Sequence, residues 1–564
     1  MCQSISFQSK TLSPDFLQTL QTIGLRQINR RIPPAGKSAG PVLTVSFESD
    51  PTLPGDSYRI TTRSSRILAE ASTRCGFLAA LGFLLRDGTF SSTGFQSGNF
   101  CGEIHPQKHF RCMYFASHFH NFYHDAPIEK VREYIEDLSL WGLNTLCFWF
   151  DLHHYSSCLD PEGIAMIERI KQMISHTKAL GLKTMLLTLS NEMFANSPRE
   201  IRADWFPQGN YHSQLMGHYH IEACPSKPGG MEAILSVRSQ MLDVFADTPP
   251  DYITIWPYDQ GGCTCPDCAP WGGNGFLRVA RALKELIHQK MPQTEICLSA
   301  WYFDHFTTGE WDAFIREVER GDYSEWVKYL VVFFNESEPL PSALQENGNL
   351  AGIPLIGFPE ISMFQAEPWG GFGANPMPTR LEALWRRDSA LLSGGYPYSE
   401  GIFEDINKAI MLSFYTGTAK TAYEAVTEYA RFEYSAEHAE EISDLIFLME
   451  RTLPRVRDEE RETAEGLPAI FRLEQTEQVE EIYERAQKLN ALLDQSVRSS
   501  WRWRILYLRA LIDHELLAHN FTISGQCEEY FEELTEIYFA EQANYYVAPP
   551  TRRSLKKTRE FYLV

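Results

Sequence analysis

Short apolar runs alternate with helical patterns through the middle of the chain. Eight of these runs have the length and the β-branched or aromatic content of buried strands. They are Arg111–Ser117, Thr145–Phe150, Thr184–Thr188, Tyr252–Trp256, Glu295–Ala300, Tyr329–Phe334, Pro354–Phe358 and Gly395–Ser399. The helical patterns between them include Ile128–Trp141, Gly163–Leu180, Met231–Phe245 and Gly275–Lys290. Eight strands that alternate with helices predict a closed, parallel (β/α)8 barrel.

The patterns on either side of the barrel differ from it and from each other. Val42–Phe47 and Ser57–Thr62 alternate like half-buried strands, and Ala69–Leu85 has apolar residues at helical spacing. After Glu404 only amphipathic helical patterns follow: Ile406–Tyr434, Glu437–Glu450, Gln475–Leu493, Arg502–His519 and Glu528–Tyr545. We therefore predict a small α/β domain over residues 1–105, the barrel over 106–404 and an all-helical domain over 405–564.

Composition narrows the class of partner. The 564 residues include 51 Lys and Arg against 73 Asp and Glu, a formal charge of −22 at pH 7. This charge repels a phosphate backbone, so we expect no nucleic-acid partner. The first residues do not resemble a secretion signal, and no apolar stretch reaches the ~18 residues that cross a bilayer, so we predict a cytoplasmic protein without membrane contact. The sequence leaves both a monomer and a homo-oligomer open.

Polar and aromatic side chains follow the predicted strands at their carboxyl ends, where barrel enzymes carry their chemistry. As catalytic candidates we single out the carboxylates Asp259, Glu336 and Glu360. Glycosidic bond cleavage needs a carboxylic acid to protonate the leaving oxygen and a carboxylate as base or nucleophile. The alternative is that each carboxylate pairs with an arginine or caps the next helix. The candidates for binding a sugar are His118, His120, Asn121, Asp151, Glu192, Tyr258, Trp301, Asn335 and Glu400.

A cysteine cluster is the second constellation. Cys263, Cys265 and Cys268 lie within six positions after the fourth strand, and Cys224 lies in the preceding loop. Four thiolates from two loops could hold a tetrahedral structural zinc. Reduced cysteines that merely shape the loop are the alternative. Twelve cysteines in so long a chain are too sparse for a disulfide framework.

The pair His118 and His120 suggests a different chemistry. Metal-dependent hydrolases of the amidohydrolase type carry His-x-His at this place in a barrel. The other ligands that this resemblance requires are missing, because no Lys follows the fourth strand and no His follows the sixth. Histidines that donate hydrogen bonds to sugar hydroxyls explain the pair better.

Three segments before the barrel carry a family resemblance. They are PGDSYRI at Pro54–Ile60, ILAEA at Ile67–Ala71 and GFLAALGFLLR at Gly76–Arg86. They resemble the small α/β domain, the second domain of hexosaminidases, that precedes the barrel in β-N-acetylhexosaminidases and α-glucuronidases. The helical segment after the barrel is similar to that of α-glucuronidase-like families. The resemblance implies a glycoside hydrolase that needs no cofactor for catalysis.

The resemblance also assigns residues. Hexosaminidases of this group carry an Asp-Glu pair after the fourth strand, with Asp orienting the acetamido group and Glu as general acid. The corresponding residues here are Asp259 and Gln260, and a glutamine cannot donate the catalytic proton. In α-glucuronidases the resemblance implies an acid at the fourth strand and carboxylates at the sixth and seventh, hence Asp259, Glu336 and Glu360.

We therefore expect a hydrolase of O-glycosyl bonds that acts from the end of a small oligosaccharide or glycoside. One alternative is a non-catalytic, carbohydrate-binding barrel, because Gln260 stands where a proton donor is expected. The other is a metal-dependent hydrolase that uses His118 and His120.

Overall fold

The N-terminal segment forms a mixed five-stranded sheet with two helices. The structure, a computed structural model, describes residues 4–32, 42–63, 65–91, 94–204, 221–259, 262–336, 340–345, 348–362, 369–457, 471–543, 547–551 and 553. The elements are β1 (Ser4–Gln8), α1 (Pro14–Arg31), β2 (Val42–Ser49), β3 (Tyr58–Arg63), β4 (Arg66–Ala71), α2 (Arg74–Asp87), β5 (Thr89–Ser91), β6 (Gly94–Gln96) and β7 (Cys101–Ile104). The strand order is β1-β2-β4-β3-β7, and β5 pairs with β6 separately.

One predicted helix in this segment begins later than the sequence pattern indicated. The prediction of helix from Ala69 is wrong, because residues 66–71 form β4 between β2 and β3. Helix α2 begins only after Thr73, whose hydroxyl accepts a hydrogen bond from the amide of Gly76 at 3.0 Å. Pairing on both edges of β4 therefore overrides an apolar spacing that also suits a helix.

Eight parallel strands close into a barrel in the middle of the chain, as predicted. The strands of this region are β8 (Phe110–Phe115), β9 (Thr145–Trp149), β10 (Lys183–Leu189), β11 (Tyr252–Trp256), β12 (Glu295–Ser299), β13 (Val327–Phe334), β14 (Asn349–Leu350), β15 (Ile353–Pro359), β16 (Leu392–Gly395) and β17 (Tyr398–Ser399). Only β14 is antiparallel and lies outside the ring. The ring closes where β16 and β17 pair with β8. A Cβ on Gly394 would lie 1.8 Å from the carbonyl oxygen of Phe110, so the closure requires glycine.

The helices of the same region surround the barrel. They are α3 (Phe122–Asp125), α4 (Ile128–Leu140), α5 (Pro161–Ala179), α6 (Gly230–Val244), α7 (Leu277–Lys290), α8 (Glu310–Arg320), α9 (Ser342–Gln345) and α10 (Pro378–Asp388). Side chains from the strands fill the interior, among them Cys112, Cys147, Met185, Cys297 and Val331. The barrel is therefore a packed core that opens only at its ends.

Helices dominate the chain after the barrel. The elements are α11 (Asp405–Thr416), α12 (Ala422–Glu433), α13 (Ala439–Glu450), β18 (Arg455–Arg457), β19 (Phe471–Leu473), α14 (Val479–Leu492), α15 (Gln495–Arg498), α16 (Trp501–Ala518) and α17 (Gly525–Tyr538). The predicted helix over 406–434 is two helices, because Gly417 ends α11 in a left-handed conformation. Within the ranges given above, none of the helices has the length and apolar character to span a bilayer.

Candidate active site

Aromatic rings line the carboxyl end of the barrel. In β8 and β9 a small inward side chain is followed two positions later by a ring near the mouth, as in Cys112 and Tyr114 or Cys147 and Trp149. The ring of Trp256 lies 5.8 Å from that of Trp301. The rings at this level are Tyr114, Trp149, Trp256, Trp301, Phe358, Tyr396 and Tyr398. Flat apolar rings with polar edges suit the faces of a small polar ligand.

A buried network of carboxylates and histidines joins the ends of β9 and β10. Oε1 of Glu192 accepts the amides of Leu152 and His153 at 3.0 and 3.2 Å and contacts Nδ1 of His153 at 2.6 Å. On the other side, Oδ2 of Asp151 bonds to Nδ1 of His154. Asp151 and Glu192 are each about 1% exposed. The two predicted ligand residues Asp151 and Glu192 are thus brought together with a histidine between them.

The pKa values of the histidines of this wall are shifted in opposite directions. Burial lowers the pKa of His118 to about 3, against the charge of Asp151, and the nearby charges of His154 and His153 act in the same direction as burial. Burial also acts to lower the pKa of His153, but the hydrogen bond and charge of Glu192 outweigh it, so this pKa is raised. One wall of the mouth therefore holds an imidazole that is neutral at pH 7 and, close by, one whose protonated form Glu192 favours.

Buried polar atoms without partners lie along the same wall. Among the residues that the structure describes, Nδ1 of His118, Nε1 of Trp149 and Oε2 of Glu192 have no hydrogen-bond partner. The rings of His118 and Trp149 are 4.6 Å apart. Because buried donors and acceptors are almost always paired in folded proteins, these atoms are available to water or to a polar ligand in the mouth.

Two glutamates lie at the ends of β15 and β17, and β17 is separated from β9 only by β8. Glu400 is fully buried and accepts a hydrogen bond from the hydroxyl of Tyr398 at 2.7 Å. Glu360 is half-buried, and its Oε1 accepts the amide of Ser362 at 2.6 Å. The backbone of Glu360 pairs with that of Tyr398 in an isolated bridge. Tyr398 thus contacts Glu400 through its hydroxyl and Glu360 through its backbone.

Asp259 and Glu360 each act electrostatically on one of two neighbouring phenols, Asp259 on Tyr114 and Glu360 on Tyr398. Tyr114 and Tyr398 have their ring centroids 5.3 Å apart. Burial raises the pKa of Tyr114, and the charges of Cys147 and Asp259 raise it further. Burial likewise raises the pKa of Tyr398, with contributions from Glu400, Tyr114 and Glu360. Asp259 and Glu360 are both half-buried, and they follow the fourth and seventh strands of the ring, so they lie on different sides of the same mouth.

Glu336 lies in a different setting from the other predicted catalytic carboxylates. Its Oε1 accepts a hydrogen bond from Nε of Arg380 at 2.6 Å, and its Oε2 lies 3.4 Å from Nη2 of the same residue. The Nη1 of Arg380 donates to the backbone carbonyl of Glu360. Glu336 is thus engaged by an arginine of α10 that also holds the backbone at the end of β15.

Other predicted ligand residues have structural contacts. The hydroxyl of Tyr258 bonds to Glu310 and to the carbonyl of Tyr302, both at 2.8 Å, and Tyr258 is 1% exposed. Asn121 caps α3 by accepting the amides of Tyr123 and His124. The backbone carbonyl of buried Asn335 accepts a bond from Arg387. The structure therefore places these side chains beside the mouth and gives them local contacts.

The two histidines of the His-x-His pair contact different neighbours. The ring of His118 is buried against Trp149, while that of exposed His120 stacks on His124 at 4.0 Å and lies 3.5 Å from Asp125. Potential ligand atoms within 4.8 Å of one another occur in Asp151, His153 and His154 and, separately, in His120, His124 and Asp125. In the described ranges His118 and His120 do not share such a group.

Tyr114 and Trp149 are not among the ligand residues predicted from the sequence. Both lie inside strands that the sequence did predict, at the last inward positions of β8 and β9. An aromatic residue two positions after a small inward residue is the signal that would have identified them. Gln260, which the sequence placed beside Asp259, lies outside the described residues.

The four predicted cysteines come together between two loops. The Sγ atoms of Cys224, Cys263, Cys265 and Cys268 all lie within 4.8 Å of one another. That of Cys224 is 3.8 Å from those of Cys265 and Cys268. None of the four forms a disulfide.

Comparison with solved structures confirms the fold. No family model and no curated protein matches the sequence. A family GH115 4-O-methyl-α-glucuronidase with specificity for decorated arabinogalactans has a TM-score of 0.57 at 9% identity, covering 98% of this chain and 78% of its own. A family 89 glycoside hydrolase from Clostridium perfringens has a TM-score of 0.56 at 12% identity, covering 92% and 64%. The GH20 exo-β-N-acetylglucosaminidase of Vibrio harveyi has 0.51 at 15% identity, covering 77% and 74%. The chain thus has the architecture that the sequence resemblance implied.

Proposed function

We propose that the protein is a glycoside hydrolase that releases terminal sugars from small oligosaccharides or glycosides. The observation that carries the proposal is the placement of Asp259 and Glu360 after β11 and β15, the fourth and seventh strands of the ring, at the same end of the barrel. Hydrolysis of a glycosidic bond requires two carboxyl groups on either side of the anomeric carbon. The likeness of fold to three glycosidases supports the same reaction class.

The contacts of Glu360 suit a base or nucleophile. The amide of Ser362 donates to its Oε1 at 2.6 Å, and such a donor favours the ionised carboxylate. We therefore assign the charged role to Glu360 and the role of general acid to Asp259. Glu336 becomes a positioning residue, because its ion pair with Arg380 holds the donor that binds the carbonyl of Glu360.

Histidines and tryptophans of the mouth supply the contacts to the sugar. A neutral His118 can both donate and accept hydrogen bonds, as a sugar hydroxyl does. Glu192 favours the protonated form of His153, and that form can bind a hydroxyl or a carboxylate. The rings of Trp149, Trp256 and Trp301 offer surfaces for the apolar faces of the sugar. These groups account for binding of a polar, uncharged or acidic monosaccharide unit at the mouth.

The test uses leaving groups of different acidity. A panel of aryl α- and β-glycosides of N-acetylhexosamines and uronic acids identifies the substrate. A good leaving group such as dinitrophenol departs without protonation, so its release does not need the general acid. We expect Asp259→Asn to lower kcat about 10²–10⁴-fold on a poor leaving group and much less on the dinitrophenyl glycoside. Glu360→Gln should abolish turnover of both. Glu168→Gln, whose side chain is 60% exposed on α5, is the matched control.

Glu336→Gln separates a positioning role from a catalytic one. A positioning residue should lower kcat equally for both leaving groups and leave the pH profile of kcat/KM unchanged. A reducing-end-labelled oligosaccharide tests the exo action, which predicts that monosaccharide is the first product. Turnover that survives both Asp259→Asn and Glu360→Gln would refute the assignment. Sugar binding by calorimetry without hydrolysis of any panel member would favour the non-catalytic barrel.

A further inference from the structure

The cysteine cluster has no part in the chemistry proposed for the mouth, yet it lies next to it. Cys224 belongs to the connection between β10 and α6, and Cys263, Cys265 and Cys268 belong to the loop between β11 and α7. Asp259 lies on this second loop, four positions before Cys263. Asp259 and three of the four cysteines therefore belong to the same connection.

The distances between the sulfurs match a single tetrahedral ion. With zinc–sulfur bonds of about 2.3 Å, the corners of a regular tetrahedron lie about 3.8 Å apart. The Sγ of Cys224 is 3.8 Å from that of Cys265 and 3.8 Å from that of Cys268, and all four sulfurs lie within 4.8 Å of one another. A disulfide needs sulfurs about 2.05 Å apart, so these distances belong to separate thiols.

The surroundings of the cluster suit thiolates. Nη2 of Arg278 lies 3.3 Å from the Sγ of Cys268, and the hydroxyl of Ser226 lies 3.2 Å from the same sulfur. A cation and a hydroxyl donor offset part of the negative charge that four thiolates leave around a divalent ion. Cys224, Cys263 and Cys268 are buried, and Cys265 is half-buried.

Other cysteines of the chain provide a contrast. Cys112, Cys147 and Cys297 are also buried, but they fill the barrel interior among apolar side chains. In the described part of the chain they do not form a group with metal-ligand spacing. Burial alone therefore does not bring cysteines of this protein to the spacing of the four loop cysteines.

We propose that Cys224, Cys263, Cys265 and Cys268 bind one zinc ion that ties the β10–α6 connection to the β11–α7 loop. Four protein ligands leave no open position for water or substrate, so the ion is structural. By holding the second loop it holds the position of Asp259. This effect on Asp259 rests on the proposed function, whereas the binding of zinc does not.

The first experiment measures metal content on the full-length protein purified without chelator. Inductively coupled plasma mass spectrometry should find one zinc per chain in the wild type and in Cys101→Ser, which changes an exposed cysteine outside the cluster. Cys224→Ser and Cys265→Ser should lose the ion. Cobalt substitution of the wild type should give the intense visible bands of tetrahedral cobalt thiolate. Iron in place of zinc, or no metal retained by the wild type, would overturn the proposal.

A second measurement uses only the wild type, so it does not depend on the folding of the cysteine variants. Titration with a mercurial reagent modifies the cluster thiols and should release one zinc per chain. A chromophoric chelator reports the released zinc. Release without thiol modification would contradict cysteine ligation. Zinc content unchanged in a protein that hydrolyses no glycoside would refute only the proposed function, while an active, zinc-free wild type would refute only the zinc site.

Discussion

At the scale of single residues, Glu310 is a buried carboxyl group whose contribution to stability depends on pH. It lies fully buried at the start of α8, where its Oε2 accepts the hydroxyl of Tyr258 at 2.8 Å and the amide of Asp304 at 3.1 Å. Burial raises the pKa of Glu310 from its ordinary value of 4.5 to about 8. Near neutral pH the folded protein therefore keeps this carboxyl protonated while the unfolded chain ionises it.

The sign of the resulting stability change follows from proton binding. Because the folded state binds the extra proton, the contribution of Glu310 to the free energy of unfolding falls as pH rises from its unfolded pKa through about 8, by up to about 1.4 kcal/mol per pH unit. Glu310→Gln keeps both acceptor contacts and removes the ionisation. We expect its stability relative to wild type to increase with pH across this window, measured by urea unfolding at several pH values. Glu285→Gln, with a side chain 74% exposed, is the control and should show no such trend. If the unfolding free energies of Glu310→Gln and wild type changed with pH in parallel, this account would be excluded.

At the scale of elements, the break between α11 and α12 depends on Gly417. Its φ of +76° is left-handed, and a Cβ at this position would lie 2.6 Å from Cγ of Gln107, in the segment that leads into β8. Gly417→Ala should therefore lower the free energy of unfolding by about 1–2 kcal/mol, the usual range for a side chain in a strained backbone region.

Chemical denaturation followed by circular dichroism tests this expectation. Gly525→Ala is the matched control, because no heavy atom lies within 4 Å of a Cβ there and the residue opens α17. The control should be neutral or slightly more stable than wild type. Equal urea midpoints for Gly417→Ala and Gly525→Ala would show that the break does not depend on glycine.

At the scale of the whole molecule, Asp137 joins helices from three parts of the chain. It lies on α4 of the barrel and accepts hydrogen bonds from Arg30 of α1 at 2.8 Å and from Arg502 of α16 at 3.1 Å. Arg26 adds a contact at 3.2 Å and Gln27 one at 2.6 Å. Burial acts to raise the pKa of Asp137, but the charges of Arg30, Arg502 and Arg26 outweigh it and hold this pKa well below its usual range.

Removing this one charge should loosen all three helices together. Asp137→Asn leaves Arg502 without one of its buried partners, and breaking a buried ion pair costs about 3–5 kcal/mol. We expect a lower thermal midpoint and faster amide hydrogen exchange in both α1 and α16. Asp247→Asn removes an ion pair with Lys171 at a side chain that is 69% exposed, and should change little. Faster exchange confined to α4 would argue against the joining role.

The order of elements along the chain was enough to predict the barrel and the end of the barrel at which its polar residues gather. Buried strands that alternate with helices are a local pattern, and β11 was predicted with its observed bounds. Because parallel strands end at one face, the pattern alone predicts that the polar residues after β9, β10 and β15 lie near one another. The grouping of the four cysteines was predicted in the same way, from two loops at the same end of neighbouring strands.

The partners of these groups could not be predicted from the sequence, because they depend on contacts that form on folding. Glu336 and Glu360 look alike in sequence, but Arg380 of α10 folds onto Glu336 and engages its carboxylate. Residues 66–71 suit a helix or a strand until β2 and β3 pair with them. Periodicity along a chain reports local conformation and the face that is buried, whereas ion pairs and strand pairs depend on residues distant in sequence that come together only on folding.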